Sequence, residues 1–152
     1  MHRKDHELTN TADMESVIHE ATVCRLGCAG NGRPYIVPLS FGYKEGVIYL
    51  HSAHEGKKIA ILKENPDCCI EFDECSEVVR AENPCKWGMR YRSVICSGKA
   101  YFVTDPREKR TGLNCIMNHY GSYPHNFSEK ELGNVCVIRI DIDEMTGKKS
   151  GY

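Results

Sequence analysis

No uninterrupted apolar run in this 152-residue chain approaches the ~20 residues that a membrane-spanning helix needs, so no membrane partner is expected. The N-terminal MHRKDHELTN lacks the apolar stretch of a secretory signal, and a cytoplasmic location is expected. Charge of one sign is also missing. Twenty Lys and Arg stand against 21 Asp and Glu, a net charge of −1. That balance argues against nucleic-acid binding by bulk electrostatics and against an acidic disordered tail. No internal repeat or linker interrupts the chain, which reads as one domain over residues 1–152.

No C-x-x-C occurs, although nine cysteines are present: Cys24, Cys28, Cys68, Cys69, Cys75, Cys85, Cys96, Cys115 and Cys136. Their number is odd and their spacing irregular, which argues against a disulfide framework. Most are expected to be small buried hydrophobes. The nearest approaches to a metal set are His51 and His54 with Cys68 and Cys69, or Cys24 and Cys28 with His2 or His6. Paired zinc ligands show tighter spacings, and adjacent Cys68 and Cys69 on a strand would face opposite ways, so no metal is expected.

What is present reads as a β-rich chain. Met14, Val17, Ile18 and Ala21 fall on one face of a short helix capped by Thr11 or Asp13. Three strand candidates follow: Val23 to Cys28, Tyr35 to Tyr43 and Val47 to His51. Turns at Gly30-Asn31-Gly32 and Lys44-Glu45-Gly46 separate them, which suggests a three-stranded antiparallel meander. Pro38 places an edge or a bulge in the second of these strands. Lys57 to Asn65 reads as a short helix ended by Pro66, and Cys68 to Phe72 as a fourth strand. Residues 74–90 read as an irregular connection. Tyr91 to Val103 is a long strand with a bulge at Gly98. Asp105-Pro106 opens a helix running to about His119, with Glu108 placed for a capping box. Val135 to Ile142 closes the count at about six strands and three helices. Hairpin connections dominate, so the expected fold is mainly β: a small antiparallel barrel with peripheral helices.

Three stretches can carry chemistry. His51-Ser52-Ala53-His54-Glu55-Gly56-Lys57-Lys58 joins a strand end to a helix start. Free helix amides, a glycine and two lysines make an anion site suited to a phosphate, although two lysines in such a position also describe a solvated face. Trp87-Gly88-Met89-Arg90-Tyr91-Arg92-Ser93 sets arginines beside aromatic rings, which suits an aromatic or anionic ligand and equally a packed Trp and Tyr beside exposed charges. At Val37-Pro38-Leu39-Ser40-Phe41 a broken ladder leaves backbone groups able to bond the edge of a planar heterocycle.

Taken in order, R-P-Y-x-V-P-L-S-F-G-Y, I-Y-L-H-S-A-x-x-G-K-K, N-P and C-x-W-x-M-x-Y-R-S-V-x-x-x-G-K-A resemble the flavin-binding split-barrel proteins related to pyridoxamine 5′-phosphate oxidase. The nearest branch in pattern is the one named for nitroimidazole resistance. The likeness runs from Arg3-Lys4-Asp5 to Met145-Thr146-Gly147-Lys148-Lys149. It implies a six-stranded split barrel forming a homodimer, with flavins in grooves at the interface. It further implies that Lys57 and Lys58 hold the FMN phosphate, with Gly56 letting the backbone close on it. His51, Ser52 and Ala53 would line the flavin, Pro38, Leu39 and Ser40 would offer backbone groups to the ring edge, and Trp87, Tyr91, Arg92 and Ser93 would wall the site. FAD is the alternative cofactor.

The implied activity is reduction of small aromatic nitro compounds to amines, with His51 as the catalytic residue that positions substrate or supplies a proton. Lysine stands at position 57 where the oxidase branch has arginine, and that branch's longer C-terminal segment has no counterpart here. Vitamin B6 oxidation is therefore not expected. Two other readings stay open: a flavin-binding store or redox sensor without turnover, and a haem-binding relative using His51, His54 or His119.

Overall fold

The computed structural model describes residues 4–152, apart from the side chains of Cys75 and Ser76. His2, Arg3 and the side chain of Cys75, on which some of the expectations above fall, lie outside the described residues. Eight strands are present: β1 (Glu7–Leu8), β2 (Cys24–Gly30), β3 (Arg33–Leu39), β4 (Phe41–Lys44), β5 (Val47–Ser52), β6 (Asp67–Val79), β7 (Gly88–Phe102) and β8 (Cys136–Ser150). Four α-helices accompany them: α1 (Thr11–Glu20), α2 (Lys57–Glu64), α3 (Pro106–His119) and α4 (Glu129–Gly133).

Every strand pairing is antiparallel, and the sheet runs β3-β2-β6-β7-β8-β5-β4, with β1 added on β8. The two ends of that path, β3 and β4, are consecutive in the chain and separated by Ser40 alone. Laid flat, seven strands at ~4.8 Å spacing would hold the two edges about 29 Å apart. Two peptide steps span at most about 7.6 Å. The sheet must therefore curl until its edges meet, and Ser40 marks the seam of the resulting barrel.

Hairpin turns and alternation explain most of the local structure. Asn31 and Gly32 take φ of 52° and 71°, and Glu45 and Gly46 take 49° and 81°. Both pairs close two-residue hairpins in the doubly left-handed form that suits the twist of the flanking strands. On β7, Val94, Cys96, Gly98 and Ala100 are buried while Ile95, Ser97, Lys99 and Tyr101 are exposed, the period of two of a half-buried strand. The register with β8 shifts between Ser97 and Gly98, the bulge expected at this glycine. Inside the barrel Phe41 and Phe72 meet edge to face at 4.8 Å between ring centroids.

Several local expectations need correction. The three-stranded meander does not form: β2 pairs with β3 and β4 with β5, but these hairpins sit at opposite ends of the sheet path. At Pro38 the edge alternative holds, since β3 is an edge strand where a proline removes no needed ladder bond, but the stretch Tyr35 to Tyr43 is two strands that break at Ser40. Residues 74–90 are no loose connection, since β6 and β7 continue through much of that stretch as a paired arm around a one-turn 3₁₀ helix at Pro84–Lys86. Asn10, not Thr11 or Asp13, caps α1 by accepting from the Ala12 amide at 2.8 Å. Asp105 does cap α3, but Glu108 makes no capping box; its carboxylate pairs with Arg139 at 2.9 Å. The capping box forms instead at α4, between Ser128 and Glu131.

Two predictions follow from the packing. A Cβ built on Gly42 would lie 2.5 Å from backbone atoms of Cys115 and Ile116 in α3, so Gly42→Ala is expected to destabilise the fold by about 1–3 kcal/mol and lower the melting temperature by several degrees. Gly88→Ala, where a Cβ meets nothing within 4 Å, is the control and should leave it unchanged. Burial pushes the thiols of Cys24, Cys68 and Cys96 up to about 12. Between pH 9 and 12 the folded chain therefore binds more protons than the unfolded chain, and stability should fall as pH rises, by up to about 1.4 kcal/mol per pH unit for each thiol. Urea unfolding at stepped pH checks this, and a flat profile above pH 9 would contradict it.

Candidate functional site

The chain leaves β5 at Ser52, turns through residues 53–56 and enters α2 at Lys57. Gly56 is the N-cap residue with φ 137° and ψ 172°, a conformation that side chains rarely adopt. It supplies no capping side chain, so the first amides of α2 are left without that acceptor and make a natural anion seat. Lys57 is exposed and Lys58 half-buried beside them. The Lys57 ammonium sits 4.8 Å from the centroid of the Tyr35 ring on β3, which ties the helix start to the edge strand. Ser52 is buried, yet its hydroxyl has no hydrogen-bond partner. An orphaned buried hydroxyl is unfavourable by about 1–3 kcal/mol, and one next to a helix N-terminus with two lysines fits a phosphate-bearing ligand. The residues present therefore fit the phosphate end of a flavin.

On the opposite face of β5, His51 is exposed and its Nε2 lies 3.0 Å from the Ser40 hydroxyl. The barrel seam thus places a titratable ring beside the break between β3 and β4. Pro38 and Leu39 stand at the end of β3 leading into that seam; Pro38 is exposed, and the Leu39 side chain packs against the core. Ala53 is exposed in the turn after β5. Pro38, Leu39, Ser40, His51, Ser52, Ala53, Gly56, Lys57 and Lys58 therefore belong to one region at the end of the barrel.

Trp87, Tyr91, Arg92 and Ser93 do not join them within one chain. His51 and Ser52 pair with Val137 and Cys136 at the start of β8, whereas Tyr91, Arg92 and Ser93 pair with Ser150, Lys149 and Lys148 at its end. At about 3.3 Å per residue the two groups lie at opposite ends of that long strand. Trp87 is exposed, and its indole N–H donates to the Ala81 carbonyl at 2.6 Å. Arg92 donates to Glu74 at 2.7 Å and keeps a buried Nε without a partner.

The other candidate ligands are already engaged. His119 Nε2 bonds the Ala21 carbonyl at 2.7 Å with its ring 4.2 Å from that of Phe41, and His54 Nε2 bonds the Gly133 carbonyl at 2.8 Å. Cys68 is buried and Cys69 exposed, as neighbours on a strand should be. Among the described residues no three His, Cys, Asp or Glu side chains converge as a metal set, and no helix is long and apolar enough to cross a membrane. A cleft of about 1110 Å³ between α1, the β4–β5 hairpin and α3 holds none of the expected site residues. Sequence reading missed two contacts: the Ser40 side chain on His51, and Tyr35 beneath Lys57. The aromatic residue in the proline-broken strand was the only available hint of the second.

An antiparallel barrel whose seam carries an anion-ready helix start has the architecture of the flavin-binding split-barrel proteins. The sequence profile described as pyridoxamine 5′-phosphate oxidase matches residues 10–149, and the chain belongs to that family. It is similar to a candidate 5-nitroimidazole antibiotic resistance protein from Bacteroides thetaiotaomicron, at 38% identity and TM-score 0.85, covering 93% of this chain and 85% of that one. The flavocytochrome Anf3 of Azotobacter vinelandii shares the fold at 20% identity and TM-score 0.86, over 100% of this chain and 72% of that one. An FAD- and haem-binding protein of Mycobacterium smegmatis does so at 19% identity and TM-score 0.86, over 97% and 74%. No curated protein matches the sequence.

Proposed function

We propose that the protein is an FMN-dependent reductase of small nitroaromatic compounds. The observation that carries this reading is the juxtaposition at the barrel seam. The Ser52 hydroxyl, the amides of α2 and the two lysines offer a phosphate seat, and His51, anchored by Ser40, stands on the neighbouring face of the same strand. FMN carries one phosphate for that seat. The 38%-identical protein from Bacteroides thetaiotaomicron, described in terms of nitroimidazole resistance, supports the substrate class.

When bound, the flavin supplies the electrons; the chain supplies binding, orientation and protons. Lys57 and Lys58 neutralise the phosphate, and Gly56 lets the backbone approach it. The Ser40 hydroxyl fixes the His51 ring, whose other nitrogen, Nδ1, makes no hydrogen bond to Ser40 and is the atom from which a proton reaches a reduced substrate. The separation of Trp87, Tyr91, Arg92 and Ser93 from this seam calls for a second chain. In a twofold homodimer the arm of one protomer lies over the seam of the other and completes each site. Exposed Ile36, Ile95 and Tyr101 on the outer face of the sheet give such a pair an apolar contact. Against the haem reading, His119 and His54 are committed to backbone carbonyls and His51 Nε2 lies against the Ser40 hydroxyl.

Two measurements test the assignment. Replacing both Lys57 and Lys58 by Ala removes two charge-assisted contacts and should weaken flavin binding at least about tenfold for each lysine; wild-type affinity in a fluorescence titration would refute the phosphate seat. His51→Ala should leave flavin bound while slowing nitro reduction about 100-fold or more, and Ser40→Ala should reduce the rate by a smaller factor with a changed pH profile. Unchanged turnover in His51→Ala removes that residue from the mechanism.

A further inference from the structure

Behind α2, on the side away from Tyr35, a cavity of about 370 Å³ is lined by His54, Lys63, Phe102, Thr104, Lys109 and Cys136, among others. It holds three groups able to carry positive charge and no carboxylate. Lys109 is held in place, since its ammonium donates to the carbonyls of Leu132 and Val135 at 2.9 and 3.0 Å, leaving its third N–H uncommitted to either. The Lys63 ammonium lies 6.0 Å from the Phe102 ring at the cavity wall. Lys109, Lys63 and Lys58 are all close enough to act electrostatically on Cys136.

Ser52, whose hydroxyl belongs to the phosphate seat at α2, stands beside the cavity wall and is not part of its lining. Cys136 pairs directly with Ser52 across β5 and β8, and directly opposed residues in an antiparallel ladder project to the same face. Both side chains are buried, and the Ser52 hydroxyl is the one without a partner. A fixed ammonium, a second lysine and a histidine without a counter-charge form an anion site in their own right.

We propose that this cavity is a second anion subsite, distinct from the α2 N-terminus, and that it takes a phosphate group. Two sources have that chemistry: the distal phosphate of a dinucleotide flavin, or a separate small phosphate. The first source rests on the flavin reading above; the second does not. Lys63 is exposed and lies outside the proposed FMN contacts, so Lys63→Ala and Lys63→Glu should fold normally, and thermal melting verifies this.

The experiment titrates wild type and both variants with FMN, with FAD and with inorganic phosphate, the last followed by phosphorus NMR line width. If the distal phosphate fills the cavity, the variants weaken FAD about tenfold or more and leave FMN within twofold, with Lys63→Glu the worse. If a separate phosphate fills it, both flavins are unaffected and the variants lose one of the two inorganic phosphate sites. Equal weakening of FMN and FAD would overturn the proposal, because the cavity would then belong to the first phosphate seat. Inorganic phosphate binding that is the same in wild type and variants, together with unchanged flavin affinities, would overturn it as well. Should the wild type bind no flavin, the flavin reading fails while the phosphate titration still decides this one.

Discussion

The single-residue link between β3 and β4 governs the rest of this molecule. Because only Ser40 separates strands at the two ends of the sheet path, the sheet has no geometric option but to curl on itself. Curling brings Phe41, Phe72 and the inward residues of β7 and β8 into one interior. The same closure decides where chemistry can occur. At the seam the ladder is interrupted and backbone groups are free of the sheet, and here it holds Ser40 against His51.

From that constraint the division of labour along the chain follows. The long β6, β7 and β8 ladder is scaffold: its inward face is closely packed, and Gly98 supplies the bulge that bends it. Residues 51–58 are the proposed functional edge, where β5 gives its last two side chains to opposite faces. His51 goes outward to the seam, and Ser52 goes inward with a hydroxyl left unsatisfied. Such a group is a small cost in the free protein and a preformed contact for a bound anion. The arm that carries Trp87 and Arg92 lies far from this edge in its own chain, and the proposed pairing of two chains would bring it there.

Local features were legible in the sequence where the cause is local. Asn31-Gly32 announces its hairpin because few other pairs accept two positive φ values, Asp105-Pro106 announces a helix start, and Gly98 announces a bulge. His51 to Lys58 could be read as an anion edge because its parts are neighbours in the chain. Long-range pairing was not legible. Both hairpins before residue 52 were correctly placed, yet nothing local reveals that they belong to opposite ends of the sheet. The β6–β7 arm was hidden because exposed charges, among them Glu77 and Arg90, remove the apolar alternation by which a strand is recognised. The Ser40–His51 contact and the distance of Trp87 from the seam of its own chain are properties of closure that a linear reading of the motifs does not show.

The most direct test of the central claim, that the seam and the α2 N-terminus form a flavin site, is the visible absorption spectrum of the purified protein, followed by heat release and chromatography of any pigment. The account predicts a two-band yellow spectrum and release of a fluorescent flavin that runs as FMN. A colourless protein that takes up no added flavin would contradict it, and a single intense Soret band would replace flavin by haem.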